Sequence, residues 1–132
     1  MNNIVLMGKY FRKLKREKEL TSFIAYIFDY EEFNDYNYIF RMIEEENRII
    51  IDIYDNSSNN RFNRYVFNFN NSKKASRVIK EGDVFVTYIN SGSTSKLYKL
   101  GYLFRLKQND MIKYANTFLD KKYVDILKSI IK

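Results

Sequence analysis

The chain contains no cysteine, no histidine, no proline and no tryptophan among its 132 residues. Without cysteine it can form no disulfide, no zinc-thiolate site and no cysteine nucleophile. Without histidine it lacks the commonest general base and the commonest metal ligand in proteins. The chemistry of HNH nucleases, of serine-histidine triads and of structural zinc is therefore excluded. Carboxylates, lysine, tyrosine, serine and threonine remain for any catalytic role.

Long apolar runs are missing as well. The longest, residues 23–28, 49–51 and 84–86, are far shorter than the roughly 20 residues of a membrane-spanning helix. Charged residues follow the short apolar run at the N-terminus within a few positions, which does not fit a signal peptide. These features predict a cytoplasmic protein with no membrane partner. The heavy use of Asn, Lys, Ile and Tyr is typical of an AT-rich genome, so no single lysine or aromatic residue is evidence of binding by its type alone.

The composition is sufficient for one core and carries an uneven charge. With 45% hydrophobic and 17% aromatic residues, the chain predicts a single domain over residues 1–132. Of the net charge of +7, residues 29–55 contribute −7, from nine carboxylates and two arginines, which leaves +14 elsewhere. Such a distribution indicates an oriented field, with a polyanion contacting one side of the molecule. A solvated surface in a lysine-rich proteome is the alternative.

A basic amphipathic helix is predicted over residues 3–20. The apolar set recurs at steps of three and four, and four cations follow the same spacing on another face: Ile4, Met7, Phe11 and Leu14, then Lys9, Arg12, Lys13 and Arg16. Such a stripe suits contact with a phosphate backbone or an acidic protein groove, although a solvated helix face has the same pattern. A second short helix over residues 73–79, capped by Ser72, would add Lys73, Lys74 and Arg77 to the nucleic-acid-binding residues.

Strand patterns occupy most of the chain between the two ends. Strands are predicted over residues 21–28, 36–43, 47–54, 61–69, 84–89 and 97–106. A Gly82-Asp83 turn precedes the fifth of these, and Gly101 inside the sixth indicates a bulge or a close approach by another backbone. A helical region follows residue 109. The predicted fold is α+β, with a curved antiparallel sheet or partial β-barrel of about six strands, an N-terminal basic helix and a C-terminal helix.

Residues 72–106 resemble the core of PUA-like domains, especially EVE-type modules and readers attached to restriction systems. Those families have a short helix, a Gly-Asp turn, an apolar strand ending near a tyrosine, a variable loop and a strand bearing glycine; here the matching pieces are residues 74–83, 84–88 and 98–104. The resemblance implies a nucleic-acid-binding module that accepts a flipped or modified base in a concave pocket. Thr87, Tyr88 and Tyr102 would line that pocket. Core or rim packing is the alternative role for both tyrosines.

Three functions from different classes follow. The first is a small, basic, non-catalytic binder of DNA or RNA that needs no cofactor. The second is a phage or mobile-element inhibitor, of the anti-CRISPR or anti-restriction kind, that binds a CRISPR or restriction nuclease through the basic helix or through Tyr36, Tyr38 and Phe40. The third is a metal nuclease using the carboxylates of residues 29–35 or 52–55, although no strand offers Asp followed by Glu-x-Lys. The sequence assigns no catalytic residue and no metal ligand.

Overall fold

A computed structural model describes residues 3–29, 38–56, 60–69, 76–89 and 95–131. These residues form five helices and five strands. The helices are α1 (Asn3–Arg16), α2 (Leu20–Phe28), α3 (Lys96–Leu103), α4 (Gln108–Ala115) and α5 (Lys121–Ile130). The strands are β1 (Tyr38–Glu44), β2 (Arg48–Asp55), β3 (Asn60–Asn68), β4 (Arg77–Glu81) and β5 (Val84–Ile89). The predicted α+β class, the N-terminal basic helix and the C-terminal helix are confirmed.

The strands form one open mixed sheet in the order β1-β2-β3-β5-β4. All neighbouring strands are antiparallel except β3 and β5, which are parallel. Gly82 turns the chain from β4 into β5 with a φ of 62°, a value that glycine adopts without steric strain. Because the described sheet is mixed, has five strands and is not closed, the predicted antiparallel sheet or partial barrel of about six strands is not confirmed.

The helices cover one face of the sheet. Side chains of a strand alternate between its two faces, and one alternate set packs against apolar residues from all five helices: Ile49, Ile51, Ile53, Tyr65, Phe67 and Ile89. Helix α1 lies against β1 and β2 and also against α5. At the centre of this core the fully buried Tyr10 donates a hydrogen bond of 3.0 Å from its hydroxyl to the carbonyl oxygen of Tyr123. This bond links the first helix of the chain to the last.

The opposite face of the sheet, called the open face below, carries a separate and smaller apolar cluster. Ile50, Val66 and Val86 are buried there, with Tyr88 packed beside them. The five described helices all contribute to the core on the other face. Consequently the sheet has one face built for the helices and one that no described helix covers.

Helix α2 occupies the first predicted strand, residues 21–28, so that prediction is wrong. Its aromatic and branched residues are typical of strands, but their spacing is helical: the buried positions are Leu20, Phe23, Ile24, Ile27 and Phe28. Only steps of three and four place all five side chains on one side of a helix, where they join the core. In this segment the periodicity, rather than the residue type, determines the structure.

Helix α3 occupies most of the sixth predicted strand, residues 97–106, which is also wrong. Ser95 begins the helix as its N-cap, and its side chain accepts a hydrogen bond of 3.2 Å from the backbone N–H of Tyr98. The predicted strand bulge or backbone approach at Gly101 is not found: Gly101 lies in a helix and is approached by a side chain, since a Cβ there would lie 2.4 Å from Cγ2 of Ile89. Glycine therefore lets α3 approach β5.

The predicted helix over residues 73–79 is also corrected. Residues 77–79 belong to strand β4, which pairs with β5 through the Gly82-Asp83 turn. Lys73 and Lys74 lie outside the described residues. The hairpin partner of β5 is therefore β4, the segment before the Gly82-Asp83 turn.

Candidate nucleic-acid interface

The charge of the chain separates by layer. Residues 1–28 and 95–132, which include all five helices, hold fifteen Lys and Arg and five Asp and Glu, a net charge of +10. The five strands hold six Lys and Arg and four Asp and Glu, a net charge of +2, and the whole stretch of residues 29–94 has a net charge of −3. We call helices α1–α5 the basic helical layer. The two positive segments, one at each end of the chain, thus meet in one layer on one face of the less basic sheet.

The predicted cationic stripe lies on α1, but its members differ in availability. Arg12 forms an ion pair with Glu44 of β1. Lys13 donates from Nζ to the hydroxyl of Ser129 on α5 and lies 3.8 Å from the carboxylate of Glu17. Lys9 and Arg16 are exposed and form no ion pair with the described residues. Half of the stripe is thus engaged within the protein, and half faces solvent.

Helix α5 extends the positive surface beyond α1. Lys121 and Lys128 are exposed on α5 and, like Lys9 and Arg16, have no ion-pair partner among the described residues. The seam between α1 and α5 has mixed charge, because it contains the ion pair of Lys122 and Glu19. Nζ of Lys122 lies 3.4 Å from the carboxylate of Glu19. Asp125 also lines this seam. The excess positive charge is therefore on the flanks of the seam.

Arg77 does not join this surface. It lies on β4, where its guanidinium carbon is 5.1 Å from the ring centroid of Tyr88, on the open face. Helix α1 packs on the other face and near the other edge of the sheet, against β1 and β2. The predicted set of seven cations is accordingly divided between opposite sides of the molecule, with two of them outside the described residues.

The three residues predicted to form a base pocket do not line a common cavity. Thr87 and Tyr88 are consecutive in β5, so their side chains point to opposite faces of the sheet. Thr87 is 7% exposed and lies beside Tyr65 on the helical side, whereas Tyr88 packs on the open face. Tyr102 is on α3 and 42% exposed, with its ring edge-to-face on Tyr114 at 5.1 Å. Of the PUA-like pattern, the turn and β5 have the expected structure.

A cleft lies between α2 and α3. The sequence does not predict this cleft, because the composition of both segments predicts strands. It encloses about 400 Å³, and its lining includes Tyr26, Asp29, Lys96 and Tyr98. The ammonium of Lys96 lies 3.7 Å from the ring centroid of Tyr26, a cation–π contact. Burial, and to a lesser degree Asp120 and Tyr123, raise the pKa of Tyr26. The Ser95 N-cap is the sequence signal that could have revealed this cleft.

Asp52, the carboxylate considered for a metal site, is engaged in an ion pair. Its side chain is buried and accepts two hydrogen bonds from Arg64, 2.8 Å from Nε and 3.0 Å from Nη2. The hydrogen bond to Asp52 is the main reason that the pKa of Arg64 is raised. Within the described part of the chain, no three His, Cys, Asp or Glu residues are grouped so that they could hold a metal ion. Residues 30–35 lie outside the described residues.

The fold and the charged layer define an α+β protein with helices on one face of an open mixed sheet. Comparison of the chain with protein-family models, with curated proteins and with solved structures finds no match. None of the helices in the described ranges is long and apolar enough to cross a membrane.

Proposed function

We propose that the protein is a non-catalytic nucleic-acid-binding protein whose basic helical layer contacts the phosphate backbone of DNA or RNA. One observation carries the proposal: residues 1–28 and 95–132, which include the helices, hold +10, whereas the five strands hold +2. A polyanion is attracted more strongly to the basic helical layer than to the sheet, which orients the complex. Release of the counterions condensed on the nucleic acid supplies the driving force.

Four exposed cations on two neighbouring helices are the proposed contacts: Lys9 and Arg16 on α1, and Lys121 and Lys128 on α5. None of them has an ion-pair partner among the described residues, so binding a phosphate would break no such pair there. Arg12 and Lys13 are weaker candidates because each already has a partner. Contacts of this kind position a protein on a backbone but carry no sequence information.

The arrangement favours backbone contact over base reading. Thr87, Tyr88 and Tyr102 lie on different surfaces, so they offer no single aromatic pocket for a flipped base. The basic helical layer, in contrast, needs no such pocket. The protein should therefore bind nucleic acids of different sequence with similar affinity.

Fluorescence anisotropy with labelled duplex DNA and single-stranded RNA tests the proposal. Between about 50 and 200 mM KCl, log K of the wild type should fall linearly with log[KCl], because each neutralised phosphate releases counterions. Lys9→Gln/Arg16→Gln should weaken binding to all sequences and reduce the slope by about two. Arg41→Gln/Arg48→Gln on β1 and β2 removes the same charge from the sheet and is the matched control.

Equal losses in the two double variants, or affinities that do not change with salt, would contradict the proposal. The alternative, a nuclease inhibitor, predicts no binding to either nucleic acid. It predicts instead that purified CRISPR or restriction nucleases lose activity when the wild-type protein is added.

A further inference from the structure

Strand β4 is an edge strand whose five residues, Arg77–Glu81, are all exposed. Its apolar members are included: Val78 is 57% and Ile79 is 37% exposed. Neighbouring Phe85 of β5 is 47% exposed. Edge strands present unpaired backbone groups that invite another strand, and apolar side chains on an edge strengthen that tendency. This edge is therefore suited to pairing with a further strand.

The register of the β4–β5 hairpin determines which backbone groups face outward. The strands meet through a two-residue turn, with Glu81 opposite Val84 and Ile79 opposite Val86. In such a hairpin the pair next to the turn exchanges hydrogen bonds, and hydrogen-bonded pairs then alternate along the ladder. Arg77, Ile79 and Glu81 thus bond to β5. The N–H and C=O groups of Val78 and Lys80 point away from the sheet.

We propose that β4 pairs antiparallel with β4 of a second copy of this chain, with the two-fold axis at Ile79. In this register Val78 faces Lys80 of the second copy, and the outward groups of both residues form four backbone hydrogen bonds. Arg77 lies opposite Glu81 of the second copy, and the symmetry repeats this pair. Both residues lie on the open face, because they are in the same alternate set as Ile79.

The side chains match in the same register. On the open face, the buried Val86 and its cross-strand partner Ile79 begin an apolar row that runs across the strands. In the dimer this row continues through Ile79 and Val86 of the second copy. The Arg77–Glu81 pairs flank this apolar row on both sides. On the helical side, Val78 meets the aliphatic part of Lys80 of the second copy, whose ammonium lies 5.7 Å from the ring centroid of its own Phe85. Opposite charges and apolar pairs placed across from each other stabilise antiparallel strands.

Neighbouring registers with the same backbone pattern fit less well. A two-fold axis at Lys80 would place two lysines directly opposite each other. An axis at Val78 would place Arg77 opposite Ile79 and separate it from Glu81. The charges of β4 therefore select one self-complementary register, and they favour a second copy over an unrelated strand.

The dimer would have a continuous sheet with both basic helical layers on the same side, because the two-fold axis of an antiparallel pair is perpendicular to the sheet. The dimer contact is made by β4 at the edge of the sheet and by side chains on the open face. Neither takes part in the proposed contact with nucleic acid. Dimer formation can therefore be measured without nucleic acid, and its failure would not bear on the proposed function.

Sedimentation equilibrium of the full chain, from about 1 to 100 μM, tests the dimer. The wild type should show a reversible monomer–dimer equilibrium. Arg77→Glu and Glu81→Arg should each weaken it by about tenfold or more, because each places like charges opposite each other twice. The double variant Arg77→Glu/Glu81→Arg should restore the wild-type dissociation constant. Arg41→Glu, on β1 at the other edge, controls for the change in net charge.

Circular dichroism would show that each variant is folded. Ile79→Lys provides a further test: this side chain is already 37% exposed, so the variant should fold and remain monomeric. A wild type that is monomeric throughout the range would overturn the proposal. A double charge reversal that dimerises no better than the single reversals would overturn the register.

Discussion

At the scale of single residues, two glycines inside helices have different roles. A Cβ on Gly101 would lie 2.4 Å from Cγ2 of Ile89 and 3.4 Å from Cδ1 of Phe67. Both neighbours are buried in the core, so they have little room to move. A Cβ on Gly8 would instead meet the carboxylate of Glu44, the far end of a partly exposed side chain. The first glycine is required by packing, whereas the second can be replaced.

We predict opposite effects for the same substitution at these two sites. Gly101→Ala should lower the free energy of unfolding by about 1–3 kcal/mol, because it forces α3 away from β5. Gly8→Ala should raise it by roughly 0.5 kcal/mol, because alanine is the better helix former and Glu44 can turn away from it. Displacing the Arg12–Glu44 surface pair costs about 0.5 kcal/mol, which is less than the roughly 1 kcal/mol that alanine gains over glycine inside a helix. Urea denaturation measures both values, and a neutral Gly101→Ala would contradict the packing argument.

At the scale of elements, the sequence predicts most of the sheet and misses two helices. The predicted strands over residues 36–43, 47–54, 61–69 and 84–89 match β1, β2, β3 and β5 to within two residues, because polar turns separate alternating or apolar runs. Helices α2 and α3 are missed because their aromatic and branched residues outweighed their helical spacing. The contact between Gly101 and Ile89 is not predictable from local patterns, because it depends on which strand α3 covers.

The candidate interface was predictable only in part, for the same reason. The positive ends and the basic stripe of α1 are visible in the sequence, including the exposed Lys9 and Arg16. That both ends form one layer follows only from the packing of α1 against α5, through contacts such as Tyr10 to Tyr123. The engagement of Arg12 and Lys13 within the protein depends on residues more than 30 and 100 positions away, respectively. Local spacing contains no information about such partners.

Strands β2 and β3 are joined by the buried ion pair between Asp52 and Arg64, which lie directly opposite each other. Arg64→Met should lower the free energy of unfolding by about 3 kcal/mol, because it removes the cation that compensates a buried carboxylate. We place the effect at the low end for buried pairs because the Arg64 side chain is 28% exposed.

The double variant Asp52→Leu/Arg64→Met should recover most of that loss, since apolar residues of similar volume often replace a buried pair without a large change in stability. A double-mutant cycle by urea denaturation measures the coupling. Losses that simply add would show that the two side chains act independently. Metal affinity that disappears in Asp52→Asn would revive the nuclease hypothesis.

At the scale of the whole molecule, the helical layer contains both the positive charge and a set of tyrosines that resist ionisation. Burial is the main cause that raises the pKa of Tyr10, Tyr26, Tyr114 and Tyr123. The pKa of Tyr10 is raised most, because its ring is fully buried and Tyr123 is nearby. A tyrosinate at that position would be shielded from the water that stabilises its charge.

The protein should therefore lose stability in alkali. Above about pH 10 the unfolded chain releases the proton of Tyr10 while the folded protein keeps it. The unfolded state then binds fewer protons, so the free energy of unfolding falls with rising pH, by up to about 1.4 kcal/mol per pH unit for one such group. Urea denaturation between about pH 8 and pH 11 measures this slope.

Tyr10→Phe separates this effect from the titration of the lysines, which changes the repulsion within the basic helical layer over the same pH range. Both proteins contain the same lysines, so that contribution cancels in the difference between them. The variant should be less stable near pH 7 by about 1 kcal/mol, because the hydrogen bond to the carbonyl of Tyr123 is lost, yet its stability should fall less steeply above pH 10. Parallel curves for the wild type and Tyr10→Phe would show that the phenol at the junction of α1 and α5 does not govern alkaline unfolding.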